Sequence, residues 1–312
     1  MLLIFFILFV SFFLLNWRVR KTVAYKNFYR TIHVVKDVPK QKKYQIAAFG
    51  STFGYYAFDL KEFGGHNFSI EPQSMIYMRK TVDHFVDNIE EGGYALLSLA
   101  GCFFATESTA TDEECITYYS FLKPEEFNNY RKIVKIKYIL KRYLPVLSPY
   151  YLKCIFQDEK PKYSSQTGLS KENGQELAKR RVKGWERVVG QNITEGYKAS
   201  DEIVAVMQRN VERMKEMIRE LHEKNIQPVF IVLPMSESFN EVCPEAFYSG
   251  ILYKCLSQFN NEEVITLDYL HDEEISKIEN YLTADSLNQK GRKLLTDRII
   301  NDLRQIDNSK QK

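Results

Sequence analysis

Cysteine is scarce and poorly spaced for metal binding. Five residues are scattered over 312 with no Cys-x-x-Cys pair, so neither a zinc site nor a disulfide framework follows. Cys243 and Cys255, or Cys102 and Cys115, could pair in an oxidising compartment; the odd count leaves a thiol over, and buried reduced thiols are the expected state. Neither a Walker pattern nor a dinucleotide-binding glycine pattern occurs, and no internal repeat or low-complexity tract is present. A formal charge of +3 is too small to argue for nucleic acid. The residues therefore imply no cofactor, no metal and no nucleic-acid partner.

What the chain has in excess is apolar sequence at its start. Met1 to Leu15 is apolar apart from Ser11, and Asn16, Trp17, Arg18, Arg20 and Lys21 follow. No small-residue cleavage site is visible, so the segment reads as a retained single-pass anchor over 1–17 rather than a signal peptide. The run is slightly short for a bilayer, and Trp17 with a snorkelling Arg18 extends its reach. Positive charges after the segment favour a cytoplasmic body. Residues 18–43 are polar and basic and read as a linker.

From residue 44 onward, short apolar runs alternate with helical patterns. Ile46–Phe49, Asn67–Ile70, Tyr94–Leu99, Val229–Leu233 and Val264–Leu267 predict strands; 73–89, 200–224, 240–258 and 288–306 predict helices. That alternation argues an α/β domain with a parallel sheet covered on both faces. The gap after Leu99 is too long for one crossover, so a helical insertion is expected at about 105–198. Within it, Arg131, Lys132, Lys135, Lys137, Lys141 and Arg142 interleave with Ile133, Val134, Ile136, Ile139, Leu140 and Leu144. Such a helix can lie on an anionic membrane, contact an acidic glycan, or pack its apolar side on the domain with a solvated basic face. Residues 157–175 are polar and read as a loop. Farther on, Val204, Met207, Val211, Met214, Ile218 and Leu221 make an apolar stripe to cover the sheet.

Two stretches carry chemistry. The first runs Tyr44-Gln45-Ile46-Ala47-Ala48-Phe49-Gly50-Ser51-Thr52, a buried strand delivering hydroxyls to a helix start. That is how α/β hydrolytic folds present a nucleophile, although Ser51 or Thr52 could simply cap the helix. The second is Tyr281-Leu282-Thr283-Ala284-Asp285-Ser286-Leu287-Asn288-Gln289-Lys290-Gly291, a loop ahead of the last helix with Asn288 as its N-cap. Together they resemble the SGNH/GDSL hydrolase superfamily, and more closely its membrane-anchored, DltD-like and capsule-locus members of surface-polysaccharide modification.

The resemblance implies a three-layer α/β/α flavodoxin-like domain over 44–312, an extracytoplasmic body, and a membrane-bound glycan or acyl-carrier partner. Carried over by position, the nucleophile falls on Thr52 with Ser51 beside it. The oxyanion glycine falls near Pro72 in the block opened by Asn67, and the family's asparagine falls on Cys102. The base histidine falls on Ser286 and its supporting aspartate near Thr283. Every hallmark is changed. A hydroxyl without a base is a weak nucleophile, and proline has no N–H for an oxyanion. Backbone N–H groups near Ser51 and Gly101 could supply donors; His271, after the fifth strand, and Asp285 are the replacement bases to consider. Two functions are consistent with these residues: an esterase or O-acyltransferase, and an inactive glycan-binding or assembly protein on the same fold.

Overall fold

The computed structural model describes residues 1–156, 168–193 and 196–310. In chain order its main elements are α1 (Leu2–Lys21), α2 (Val23–Lys36), β1 (Tyr44–Phe49), α3 (Thr52–Ala57), β2 (His66–Asn67), α4 (Met75–Phe85) and β3 (Ile89–Leu99). There follow α5 (Lys132–Tyr143), α6 (Pro149–Cys154), α7 (Lys171–Val189), α8 (Asp201–Glu223), β4 (Gln227–Val232), β5 (Ile265–Asp268), β6 (Tyr281–Thr283), β7 (Ser286–Leu287) and α9 (Gln289–Lys310). Of the described residues, 1–39 and 113–156 form one compact unit, and 40–112, 168–193 and 196–310 form the other.

The larger unit is an α/β domain around a five-stranded parallel sheet of order β2-β1-β3-β4-β5. Its central strands are buried on both faces, which is why β1, β3 and β4 read as continuous apolar runs. Alternation along each strand sends Ile46, Ala48, Leu96, Val229 and Ile231 to one face, where Leu295, Ile299, Ile300 and Leu303 of α9 cover them. On the opposite side α4 packs on β1 and α8 on β4. Ser200 starts α8 by accepting from Ile203 N at 3.3 Å, and Asp201 and Glu202 complement the positive helix end. The helix closes with Asn225 at φ 53°, Ile226 N on Leu221 O and Asn225 N on His222 O, a Schellman ending.

The smaller unit joins α1 and α2 to α5 and α6. Residues 23–36, read as linker, form a helix because Ala24, Tyr25, Ile32 and Val35 make one buried stripe. The Tyr25 hydroxyl donates to Arg142 O at 2.7 Å, and its ring meets Tyr151 edge-on at 6.0 Å. The expected insertion is thus divided: 113–156 pack in the unit of α1, whereas α7 belongs to the unit of the sheet. Two further readings differ. Residues 240–258 form a series of short helical turns in place of one helix, and 281–287 form the hairpin β6–β7 in place of a loop. Much of the expected 157–175 loop lies outside the described residues, and its end is the start of α7. All five cysteines are free thiols, four of them buried.

Candidate functional site

The order of the sheet reverses between β1 and β3, and in open parallel sheets ligands bind beyond the carboxyl ends of the strands at that point. Both sequence motifs arrive there. The chain leaves β1 through Gly50, where a Cβ would fall 1.6 Å from Ser98 Oγ of β3; only glycine lets the two strand ends approach so closely. Gly54 meets Ser98 and Ser69 in the same way. Asn67 clamps this turn: its amide donates to Gly54 O at 3.0 Å, and its carbonyl accepts from Ser69 N at 3.0 Å. It therefore acts as a strut that holds the turn beside the pocket.

Helix α3 then packs on β7, which brings Ser51 and Thr52 to the side of the domain that carries Asp285 and Ser286. Ser51 is the N-cap residue by backbone geometry, yet its side chain makes no capping hydrogen bond. Among the described residues neither its hydroxyl nor that of Thr52 or Ser286 has a hydrogen-bond partner. Asn288 caps α9 as expected, accepting from Gly291 N at 3.0 Å and donating to Glu279 O at 2.7 Å.

Asp285 is the best-buried charge here, its side chain 1% exposed against 42% for its partner Arg181. The Arg181 guanidinium ion-pairs with it through Nε and adds a hydrogen bond from a terminal nitrogen at 3.3 Å; the Thr283 hydroxyl donates to Asp285 Oδ1 at 2.8 Å. Arg181 also lies over the Phe53 ring, 5.9 Å from its centroid. One turn along α7, Trp185 meets Phe53 edge-on at 6.4 Å. Trp185 explains Gly101, where a Cβ would lie 2.6 Å from the indole.

Glu71 completes the cluster. The residue is exposed, but its carboxyl group is crowded by protein, and this burial raises its proton affinity above the ordinary carboxylate value. The Tyr56 hydroxyl, donating at 3.0 Å, and the charge of Arg181 oppose the rise; the charge of Asp285 adds to it. Burial pushes the Cys102 thiol up to about 12, so it stays protonated and unreactive near neutral pH. His271 stands apart from these groups, half-exposed, with Nε2 3.2 Å from Glu245.

The site thus gathers Ser51, Thr52, Gly101, Cys102, Asp285 and Ser286 at the same ends of the sheet, but among the described residues no base is hydrogen-bonded to the hydroxyl of Ser51, Thr52 or Ser286. Glu71, Arg181 and Trp185 were missed from sequence. Arg181 and Trp185 sit four apart inside what reads as an insertion helix, and Glu71 lies in an unpatterned turn. No known protein-family model matches the chain, and no curated protein sequence does.

Proposed function

We propose that this chain is a membrane-anchored glycan-binding or assembly protein of cell-surface polysaccharide modification, on an SGNH-hydrolase-like domain that has given up ester chemistry. The observation that carries the reading is the missing proton acceptor. Among the described residues Ser51 and Thr52 have no basic partner, and Asp285 is engaged by Arg181 and Thr283. The order 2-1-3-4-5, that of flavodoxin-like sheets, supports the finer fold assignment. Helix α1 spans twenty residues of high mean hydropathy, 2.3 in its most apolar window, and supports the anchor. An exported glycan as ligand requires the body outside the cytoplasm.

The rim suits a sugar. Thr52, Glu71, Arg181 and Thr283 offer hydroxyl, carboxyl and guanidinium groups to hydroxyls, and the partly exposed rings of Phe53 and Tyr55 can take an apolar sugar face. The enzymatic alternative, esterase or O-acyltransferase, would need Glu71 as base, for which its raised proton affinity is suited.

Titration calorimetry of the full chain in detergent micelles, with O-acetylated and deacetylated oligosaccharides, tests the proposal beside hydrolysis of p-nitrophenyl acetate. The expected result is saccharide binding that Phe53→Ala weakens about tenfold, or about 1.4 kcal/mol, with hydrolysis no faster than in Thr52→Ala. Turnover abolished by Thr52→Ala, or the absence of binding to either saccharide, overturns it.

A further inference from the structure

Helix α5 has two apolar sides. Val134 and Tyr138 point into the unit and are buried. On the opposite side Ile133, Ile136, Leu140 and Tyr143, at helical spacing of three, four and three, stand 39–52% exposed. Leu147 and Tyr150 prolong the exposed stripe beyond the helix end, and the exposed lysines Lys132 and Lys137 border it on either side. A soluble helix turns its apolar stripe inward and its lysines outward; α5 exposes both.

The same unit holds α1, and polar contacts fix the two helices to each other. The Asn16 amide donates to Tyr143 O at 3.1 Å, its carbonyl accepts from Val146 N at 3.2 Å, and Arg20 donates to Tyr143 O at 2.7 Å. The end of α5 is therefore held at the level where the apolar run of α1 stops. That run, to Trp17, is about 24 Å long at 1.5 Å per residue, against a hydrocarbon core of about 30 Å. A helix that falls short draws its flanking residues toward the bilayer, and here the flank includes α5.

We propose that α5 lies in the headgroup interface of the bilayer that α1 spans, with Ile133, Ile136, Leu140 and Tyr143 inserted among acyl chains and Lys132 and Lys137 on anionic headgroups. The inference rests on the reading of α1 as a membrane anchor. Charge complementarity and continuity with α1 select lipid as the occupant. The effect is to add a second attachment, which fixes this unit against the membrane where α1 alone would leave it free to swivel.

The test uses the full chain in phosphatidylcholine–phosphatidylglycerol vesicles, with Cys115→Ser to remove the least buried thiol. An environment-sensitive dye is placed at Ile136→Cys or, separately, at Phe9→Cys. Shallow nitroxide lipids are expected to quench the Ile136 label several-fold more than iodide does, and deep nitroxide lipids to quench the Phe9 label. Replacing phosphatidylglycerol by phosphatidylcholine should at least double iodide access at Ile136. An iodide-accessible Ile136 label beside a lipid-quenched Phe9 label overturns the inference and leaves the anchor standing. A Phe9 label open to iodide removes the anchor and the inference together. An Ile136 label shielded from both quenchers means that protein covers the stripe, which also overturns it.

Discussion

The ion pair of Arg181 with Asp285 makes an asymmetric prediction. Breaking a fully buried pair by removing one partner destabilises by about 3–5 kcal/mol, because the remaining charge is left desolvated. Here the two partners are not equally buried. In Asp285→Asn the arginine, with 42% of its side chain exposed, can recover water, and the Thr283 hydroxyl keeps an acceptor; a loss of about 1–2 kcal/mol is expected. In Arg181→Met the carboxylate, 1% exposed, retains only Thr283 as donor, and about 3 kcal/mol should be lost. The double variant should be more stable than Arg181→Met by about 1–2 kcal/mol, which amounts to a coupling of about 3 kcal/mol, the upper end for contacting charges. The chain has two tryptophans, so in a Trp17→Phe background the fluorescence of Trp185, one turn from Arg181, reports urea unfolding of this site. Equal losses in the two single variants, or strict additivity in the double, would refute the reasoning.

Three other tests probe the scaffold. Burial first, and then the hydrogen bond and charge of Asp83, raise Glu220 from 4.5 to about 7 against the pull of Arg79. The folded state thus holds a proton the unfolded chain gives up, so this stabilisation is full below 4.5 and is lost as pH rises through about 7. Glu220→Gln should match the parent at pH 5 and exceed it at pH 8 by about 1 kcal/mol, a figure reduced because the group is partly solvated; equal thermal midpoints at both pH values would contradict this. Asn210 is fully buried and donates at 2.8 Å to both Phe104 O and Thr106 O, so Asn210→Ala should lose about 2 kcal/mol or more in thermal unfolding. The buried Ser98 hydroxyl has no partner among the described residues; Ser98→Ala should be neutral or stabilising by up to about 1 kcal/mol, and a clear loss would show an interaction there.

The centre of the sheet was legible because its strands are buried on both faces and bounded by polar turns, as in Tyr94–Leu99 and Val229–Leu233. The apolar stripe of 200–224 was legible for a different reason: the helix buries one face only, so its apolar residues recur at spacings of three and four. Residues 23–36 were not: their buried stripe is too narrow to outweigh a polar, basic composition, and its partners come from 113–156, far away in sequence. Hairpin β6–β7 has only two or three residues per strand, below the length at which alternation can be read. At the site, Gly50, Ser51 and Asp285 could be found because they sit in motifs. Arg181 and Glu71 could not, because their meeting with Asp285 depends on a crossover of more than a hundred residues. Helix α5 shows the limit of periodicity itself. Its apolar and basic positions were clear, but which side faces protein is decided by what the helix packs against, 118–120 and 145–147 among them, and not by its own pattern.

The central claim is that no base activates the hydroxyls at the end of β1. The direct measurement is intact-mass and peptide mapping of the full chain after exposure to a serine-reactive fluorophosphonate, with an active serine esterase treated alongside. The account predicts labelled esterase and an unmodified chain. An adduct on Ser51 or Thr52 would contradict it.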